Sequence, residues 1–85
     1  MEQKIKDVVE RWQGLDESER LYLTATTLVD LWLFGTGQRT AEQLGSFCRA
    51  VVKNDLLRAT TYADATNKKV LAEIVHFFNF IVPGK

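Results

Sequence analysis

Cys48, His76 and Asp30 are the side chains of this sequence with the clearest potential for chemistry. Together they would supply a nucleophile, a general base and a group that orients the base. Nothing in their spacing requires them to meet, and Cys48 falls among apolar residues at helical spacing. We therefore expect Cys48 to be a buried thiol that packs as a small hydrophobic side chain. The sequence predicts no catalytic residue and no enzymatic activity.

Metal ions and cofactors also lack a recognisable set of ligands. Because the chain has one His and one Cys, the usual nitrogen and sulfur ligands of a metal site are missing. We expect His76 to be a hydrogen-bonded, partly buried imidazole, with a pH-sensitive or ligand-binding role as the alternative. The run Gly35–Gln38 lacks the strand and the lysine of a phosphate-binding loop and indicates a helix end. The sequence predicts no cofactor, no metal and no small-molecule substrate.

Four basic residues are the candidate contacts to nucleic acid. Arg49 and Lys53 are four positions apart and share a helical face, and Lys68 and Lys69 follow them. Such a face could contact phosphates or an acidic protein surface. Acidic residues such as Asp55 lie between these positions, which favours the simpler interpretation of a solvated helix face.

The overall charge and length narrow the class of protein. Eleven basic and eleven acidic side chains give a net charge of zero, so no general field attracts the chain to nucleic acid or to an anionic membrane. The longest apolar stretch is shorter than the roughly 20 residues needed to span a bilayer. A single cysteine and the lack of an apolar N-terminal signal favour the cytoplasm. We expect one domain over residues 1–85, with no membrane contact.

Helical periodicity and capping signals predict an all-α fold. Asp16 with Glu19, and Thr40 with Gln43, form the capping-box pattern that begins a helix. Alternation of apolar and polar residues never persists, so no strand is predicted. The expected architecture is a compact four-helix bundle with helices over approximately 3–13, 17–34, 41–64 and 67–82.

Two stretches, Leu28–Phe34 and Ile74–Val82, are apolar on nearly every side. A helix of this kind must be buried all round, whereas a chain of this size buries only about 60% of its surface. Either both helices are central in a compact monomer, or part of their surface contacts a partner. We favour the partner, most simply a second copy related by a two-fold axis. The predicted interface residues are Leu31, Trp32, Phe34, Phe77, Phe78 and Phe80.

Asp30 is the one charge in the first apolar stretch. We expect it to occupy the single solvent-facing angle of its helix. The alternative is an ion pair with Arg49 or Arg58 that fixes the register of the helix or an interface.

The sequence therefore predicts a small, non-enzymatic regulatory or adaptor protein that acts through protein–protein contacts as a homodimer. The alternative is a transcriptional regulator that binds nucleic acid through a basic face on its third and fourth helices, using Arg49, Lys53, Lys68 and Lys69.

Overall fold

The computed structural model describes residues 2–84. This part of the chain is helical and contains no β-strand, so the predicted all-α class is confirmed. A 3₁₀ turn at Ala41–Gln43 precedes α4, and a π-helical turn at Phe77–Ile81 extends α7. The α-helices are α1 (Glu2–Glu10), α2 (Glu17–Ala25), α3 (Thr27–Gly35), α4 (Ser46–Val52), α5 (Leu56–Tyr62), α6 (Ala65–Lys69) and α7 (Leu71–His76).

The prediction of one continuous helix over 41–64 is wrong. Gly45 has an extended backbone before α4, and Asn54 after α4 adopts the left-handed conformation with φ 58°. Asparagine tolerates this conformation better than most residues, so it ends α4 at little cost. Asp55 then caps α5, because its carboxylate accepts a hydrogen bond from the backbone N–H of Arg58 at 3.1 Å. The apolar stripe continues through these breaks, but the helix does not.

Two other predicted helices are divided as well. The helix over 17–34 breaks at Thr26 (φ −124°, ψ −82°), which separates α2 from α3. The helix over 67–82 breaks at Val70 (φ −129°, ψ 31°), which separates α6 from α7. The bundle of four long helices is therefore not confirmed, and the fold is built from shorter helices.

Helix α3 is the centre of the core. It packs against α1, α2, α4 and the π-helical turn. Leu28 and Leu31 of α3 are fully buried, and so are Phe77 and Phe78 of the π-helical turn. Because these elements surround α3, the chain itself buries much of the first apolar stretch, whereas Phe80 of the second stretch is 77% exposed. None of the helices in residues 2–84 has the length and apolar character needed to span a membrane.

A buried hydrogen bond joins α3 to α6. The Thr27 hydroxyl donates to Oδ1 of Asn67 at 3.0 Å, and both residues are only 4% exposed. The backbone N–H of Asn67 donates to the Asp64 carboxylate that caps α6 at 2.8 Å. A buried polar group without a partner is costly, so this pair fixes how α6 sits on α3.

The C-terminal segment of the described chain closes over the end of α3. Val82 is buried, and a Cβ atom built on Gly35 would overlap its Cγ1 atom and lie 3.5 Å from its Cβ atom. Gly84, with φ +79°, continues over the Gly35 carbonyl. Glycine at position 35 thus permits the close approach of the two segments.

Replacing Thr27 by valine tests the buried hydrogen bond. The substitution keeps the shape of the side chain but leaves Oδ1 of Asn67 without its donor. We expect the free energy of unfolding, measured by urea denaturation, to fall by about 1–3 kcal/mol. Thr60→Val is the control, because among residues 2–84 the exposed Thr60 hydroxyl bonds only to the Leu56 carbonyl in its own helix. This variant should change stability by less than about 0.5 kcal/mol. Equal effects of the two variants would contradict the structural role of Thr27.

Gly35→Ala tests the contact between α3 and the C-terminal segment. The added methyl group displaces Val82, so we expect a loss of about 1–3 kcal/mol in urea denaturation. Gly45→Ala is the control, since a Cβ atom there meets nothing within 4 Å and the backbone is extended with φ −68°. A Gly35→Ala variant as stable as Gly45→Ala would show that the segment does not pack on α3 in solution.

Candidate functional site

The structure places the six predicted interface residues in three environments. Leu31, Phe77 and Phe78 lie in the core of the single chain. Trp32 and Phe34 are partly buried against the same core, with the Trp32 ring centroid 6.4 Å from that of Phe77. The sixth residue, Phe80, is 77% exposed. A contact between folded monomers is therefore open to Phe80 and to parts of Trp32 and Phe34, whereas the other three side chains already pack within the monomer.

His76 is exposed, so the expectation of a partly buried imidazole is wrong. Its ring lies 4.9 Å from the Phe80 ring, between centroids. The two residues are four positions apart at the junction of α7 and the π-helical turn, which places both on the outer side of the fold. The two ring planes are tilted by 37°, so this contact is not a parallel stack.

Asp30 is paired, but with neither of the two arginines considered from the sequence. Arg39 Nη1 forms the ion pair and hydrogen bond with its carboxylate. Helix α3 ends at Gly35, and the loop that follows turns back along the helix, which brings Arg39 to Asp30. The Asp30 side chain is 30% exposed, so it is partly covered by its partner rather than fully solvated.

Cys48 is buried, as the sequence predicts. Its Sγ atom lies 3.9 Å from the carbonyl oxygen of Thr27. Burial, together with the nearby Asp30 carboxylate, raises the pKa of the Cys48 thiol to about 12. The thiolate form that attacks electrophiles or binds metals is therefore scarce at neutral pH.

Arg49 has a structural task that its position in the sequence does not reveal. Its Nε donates to the Ala41 carbonyl at 3.1 Å, and its Nη2 donates to the carbonyls of Leu44 at 3.1 Å and Glu42 at 3.4 Å. These carbonyls belong to the 3₁₀ turn and its end, where backbone acceptors lack helical partners. The guanidinium thus holds the 3₁₀ turn against α4.

The other side of Arg49 faces a small cleft between α4 and α5. Its volume is about 140 Å³. The cleft is lined by Ser46, Arg49, Ala50, Lys53, Asp55, Arg58 and Tyr62. Three of these side chains are cationic and one is anionic, so the cleft carries a local positive charge although the whole chain is neutral. Arg58 also contacts Asp55, with 3.4 Å between Nε and Oδ2.

Lys68 and Lys69 lie on α6, apart from the residues that line this cleft. Lys69 forms an ion pair with Glu19 of α2, with 2.7 Å between Nζ and Oε2. The hydrogen bond from Lys69 lowers the pKa of the Glu19 carboxyl, and the same bond raises the pKa of Lys69. Lys68 is exposed and has no ion pair within residues 2–84. The four predicted nucleic-acid contacts therefore divide into two pairs, and in each pair one residue has a structural partner.

Helix α5 exposes three large apolar side chains, of which Leu56 and Tyr62 share the helical spacing of the residues that α4 buries. Leu57 is 79% exposed, Tyr62 is 51% and Leu56 is 50%, whereas Ala59 is fully buried. The break at Asn54 rotates α5 relative to the stripe that α4 buries, and the small Ala59 and Ala63 become its inner side. The adjacent pair Asn54–Asp55, a residue that tolerates φ > 0 followed by an N-cap, is the sequence signal that indicates this break.

Neither a cluster of metal ligands nor similarity to a known protein indicates what chemistry this chain performs. Over residues 2–84, no three His, Cys, Asp or Glu side chains are grouped so that they could hold a metal ion. Comparisons with protein-family models, with curated proteins and with solved structures found no match. Its function is therefore inferred from the exposed surfaces described above.

The burial of Cys48 is tested by thiol labelling with a chromogenic disulfide at about pH 8. Because the raised pKa and the surrounding core both suppress attack, the native protein should react at least roughly 100-fold more slowly than the urea-unfolded chain.

The same burial makes stability depend on pH. Above the ordinary thiol pKa of 9.0, the unfolded chain loses the thiol proton of Cys48 while the folded chain keeps it. Stability should therefore fall as the pH rises above about 9, and Cys48→Ala should fall less steeply. Rapid labelling of the native protein would contradict this placement.

Proposed function

We propose that this protein is a non-enzymatic adaptor or regulatory protein that acts through protein–protein contacts and assembles as a homodimer. The contact surface is the α5 face, which we define as Leu56, Leu57, Thr60 and Thr61. The observation that carries the proposal is the exposure of two adjacent leucines, one of them at 79%, on a helix attached to the core through alanines.

Removing the α5 face from water costs little free energy. Leu56 and Thr60, and likewise Leu57 and Thr61, are four positions apart and share one side of the helix. The hydroxyls of Thr60 and Thr61 donate to the carbonyls of Leu56 and Leu57 at 2.8 and 2.9 Å. Because these donors are satisfied inside the helix, a partner can cover them without leaving a hydrogen bond unmade.

A second copy of the chain is the occupant that fits this face. In a two-fold contact, each residue meets the same surface patch of the other protomer, so a charged face would oppose like charges at close range. The α5 face contains no charged residue, and the chain as a whole has a net charge of zero. Self-association therefore meets no long-range repulsion, and the charge of Arg58, exposed on the same helix, is paired with Asp55.

The size of the α5 face sets the expected strength of the dimer. Four side chains per protomer fall well short of the roughly 20–30 residues per side of a standard interface. We therefore expect a weak dimer with a dissociation constant on the order of 100 µM. Such an interface forms and dissociates readily, which suits a regulatory protein.

Nucleic-acid binding has less support from the structure. Arg49 donates three hydrogen bonds to backbone carbonyls, and Lys69 is paired with Glu19. The free cations are thus fewer than the sequence indicates, and affinity for nucleic acid depends on the number of phosphates neutralised.

We place the protein in the cytoplasm, since its one thiol is buried and unpaired.

Leu57→Glu is the substitution that tests the proposal. A carboxylate at the centre of the α5 face meets its own copy across the two-fold axis, so it should abolish self-association. Sedimentation velocity over about 1 µM to 1 mM protein should show a concentration-dependent dimer for the unaltered chain and a monomer for the variant. A chain that stays monomeric throughout this range would overturn the homodimer.

Phe80→Glu is the matched control. Phe80 is 77% exposed, nearly the same as Leu57, and it belongs to the region that the sequence predicts as the interface. If the α5 face mediates association, Phe80→Glu should dimerise like the unaltered chain. Loss of the dimer in Phe80→Glu but not in Leu57→Glu would move the contact to the aromatic region around Phe80 and contradict the role of α5.

A further inference from the structure

We propose that the cleft between α4 and α5 binds a tetrahedral phosphate-type oxyanion, either free phosphate or the phosphate of a phosphorylated side chain. Its donors come from both helices. Ser46 and Arg49 of α4 and Lys53 directly after it recur at three- and four-residue intervals, and Arg58 and Tyr62 are four positions apart on α5.

Three of the six polar side chains that line the cleft have no hydrogen-bond partner among the described residues. Within residues 2–84, the Ser46 hydroxyl, the Lys53 ammonium and the Tyr62 hydroxyl make no hydrogen bond or ion pair. Arg49 uses Nε and Nη2 on carbonyls, which leaves Nη1 free. Phosphate oxygens accept several such bonds at once, and charged donors make the strongest of them.

Asp55 is the one acidic side chain that lines the cleft, and its charge is already engaged. One carboxylate oxygen accepts the backbone N–H of Arg58 at 3.1 Å, and the other lies 3.4 Å from Nε of the same residue. Asp55 therefore orients the Arg58 guanidinium while the two terminal nitrogens of that group have no partner among the described residues. The remaining charge on the cleft is positive.

The hydrogen bonds of Arg49 hold its guanidinium in place before a ligand binds in the cleft. Because three backbone carbonyls hold its guanidinium, this group loses little freedom when its last nitrogen meets an anion. The cleft volume of about 140 Å³ is several times the roughly 10–15 Å³ that a cavity needs to hold one water molecule. A five-atom oxyanion therefore has room, and in so open a cleft we expect a dissociation constant of roughly 1 mM.

The test is an NMR titration of the full chain with inorganic phosphate and, separately, with O-phosphoserine, at constant ionic strength and about pH 8. We expect saturable shifts of the backbone amides of Ser46, Lys53 and Tyr62. Tighter binding of phosphoserine would identify a phosphorylated side chain as the source, and equal or weaker binding would identify free phosphate. Absence of saturable shifts up to about 50 mM of either ligand would overturn the proposal.

Three variants distinguish binding by the residues of the cleft from nonspecific attraction of the anion to positive charge. Lys53→Gln and Arg58→Gln each remove a charged donor from the cleft and should weaken binding about tenfold. Lys68→Gln removes the same charge from α6, outside the cleft, and should bind like the unaltered chain. If it weakens binding as much as Lys53→Gln, the anion is held by net charge and the cleft is not a site. None of the donors belongs to the α5 face, so this result does not depend on the homodimer.

Discussion

The fold depends on how this chain completes the ends of helices that are too short to do so themselves. Within residues 2–84, none of the α-helices exceeds nine residues, and every helix leaves four N–H groups and four carbonyls without internal partners. Carboxylates of Asp16, Asp55 and Asp64 receive the N–H groups at the starts of α2, α5 and α6. In a chain of short helices, such terminal hydrogen bonds are a large share of all the backbone hydrogen bonds, so the capping side chains determine where α2, α5 and α6 begin.

The arginines perform the matching task at carbonyl ends, and there they also connect elements. Arg20 of α2 donates to the carbonyls of Val9 and Trp12, the latter at 2.7 Å, and so ties the end of α1 to α2. Arg49 does the same between α4 and the 3₁₀ turn. A guanidinium carries five donors in a rigid fork, which lets one side chain satisfy several acceptors at once. These bonds hold the peripheral elements that, in turn, enclose α3.

The all-α class, the buried Cys48 and the caps at Asp16 and Thr40 could be predicted from the sequence, because each depends on local pattern. The division of the third predicted helix was missed because the apolar stripe continues across the breaks at Gly45 and Asn54, although the pair Asn54–Asp55 marks the second break. The exposure of the α5 face was not predicted for the same reason, because Leu56 shares the helical spacing of residues that are buried in α4. Asp30 pairs with Arg39 because of the turn after α3, a tertiary feature that spacing does not encode.

The attachment of α5 has a consequence for how this protein can diverge. The residues that anchor the helix, Ala59 and Ala63, differ from those that face outward, and the outward threonines satisfy their own hydroxyls. Substitutions on the outer side therefore leave the interior undisturbed and incur little loss of folding free energy. Selection can rewrite the recognition properties of this helix while the scaffold stays constant, so descendants of one ancestor could acquire different binding preferences without refolding.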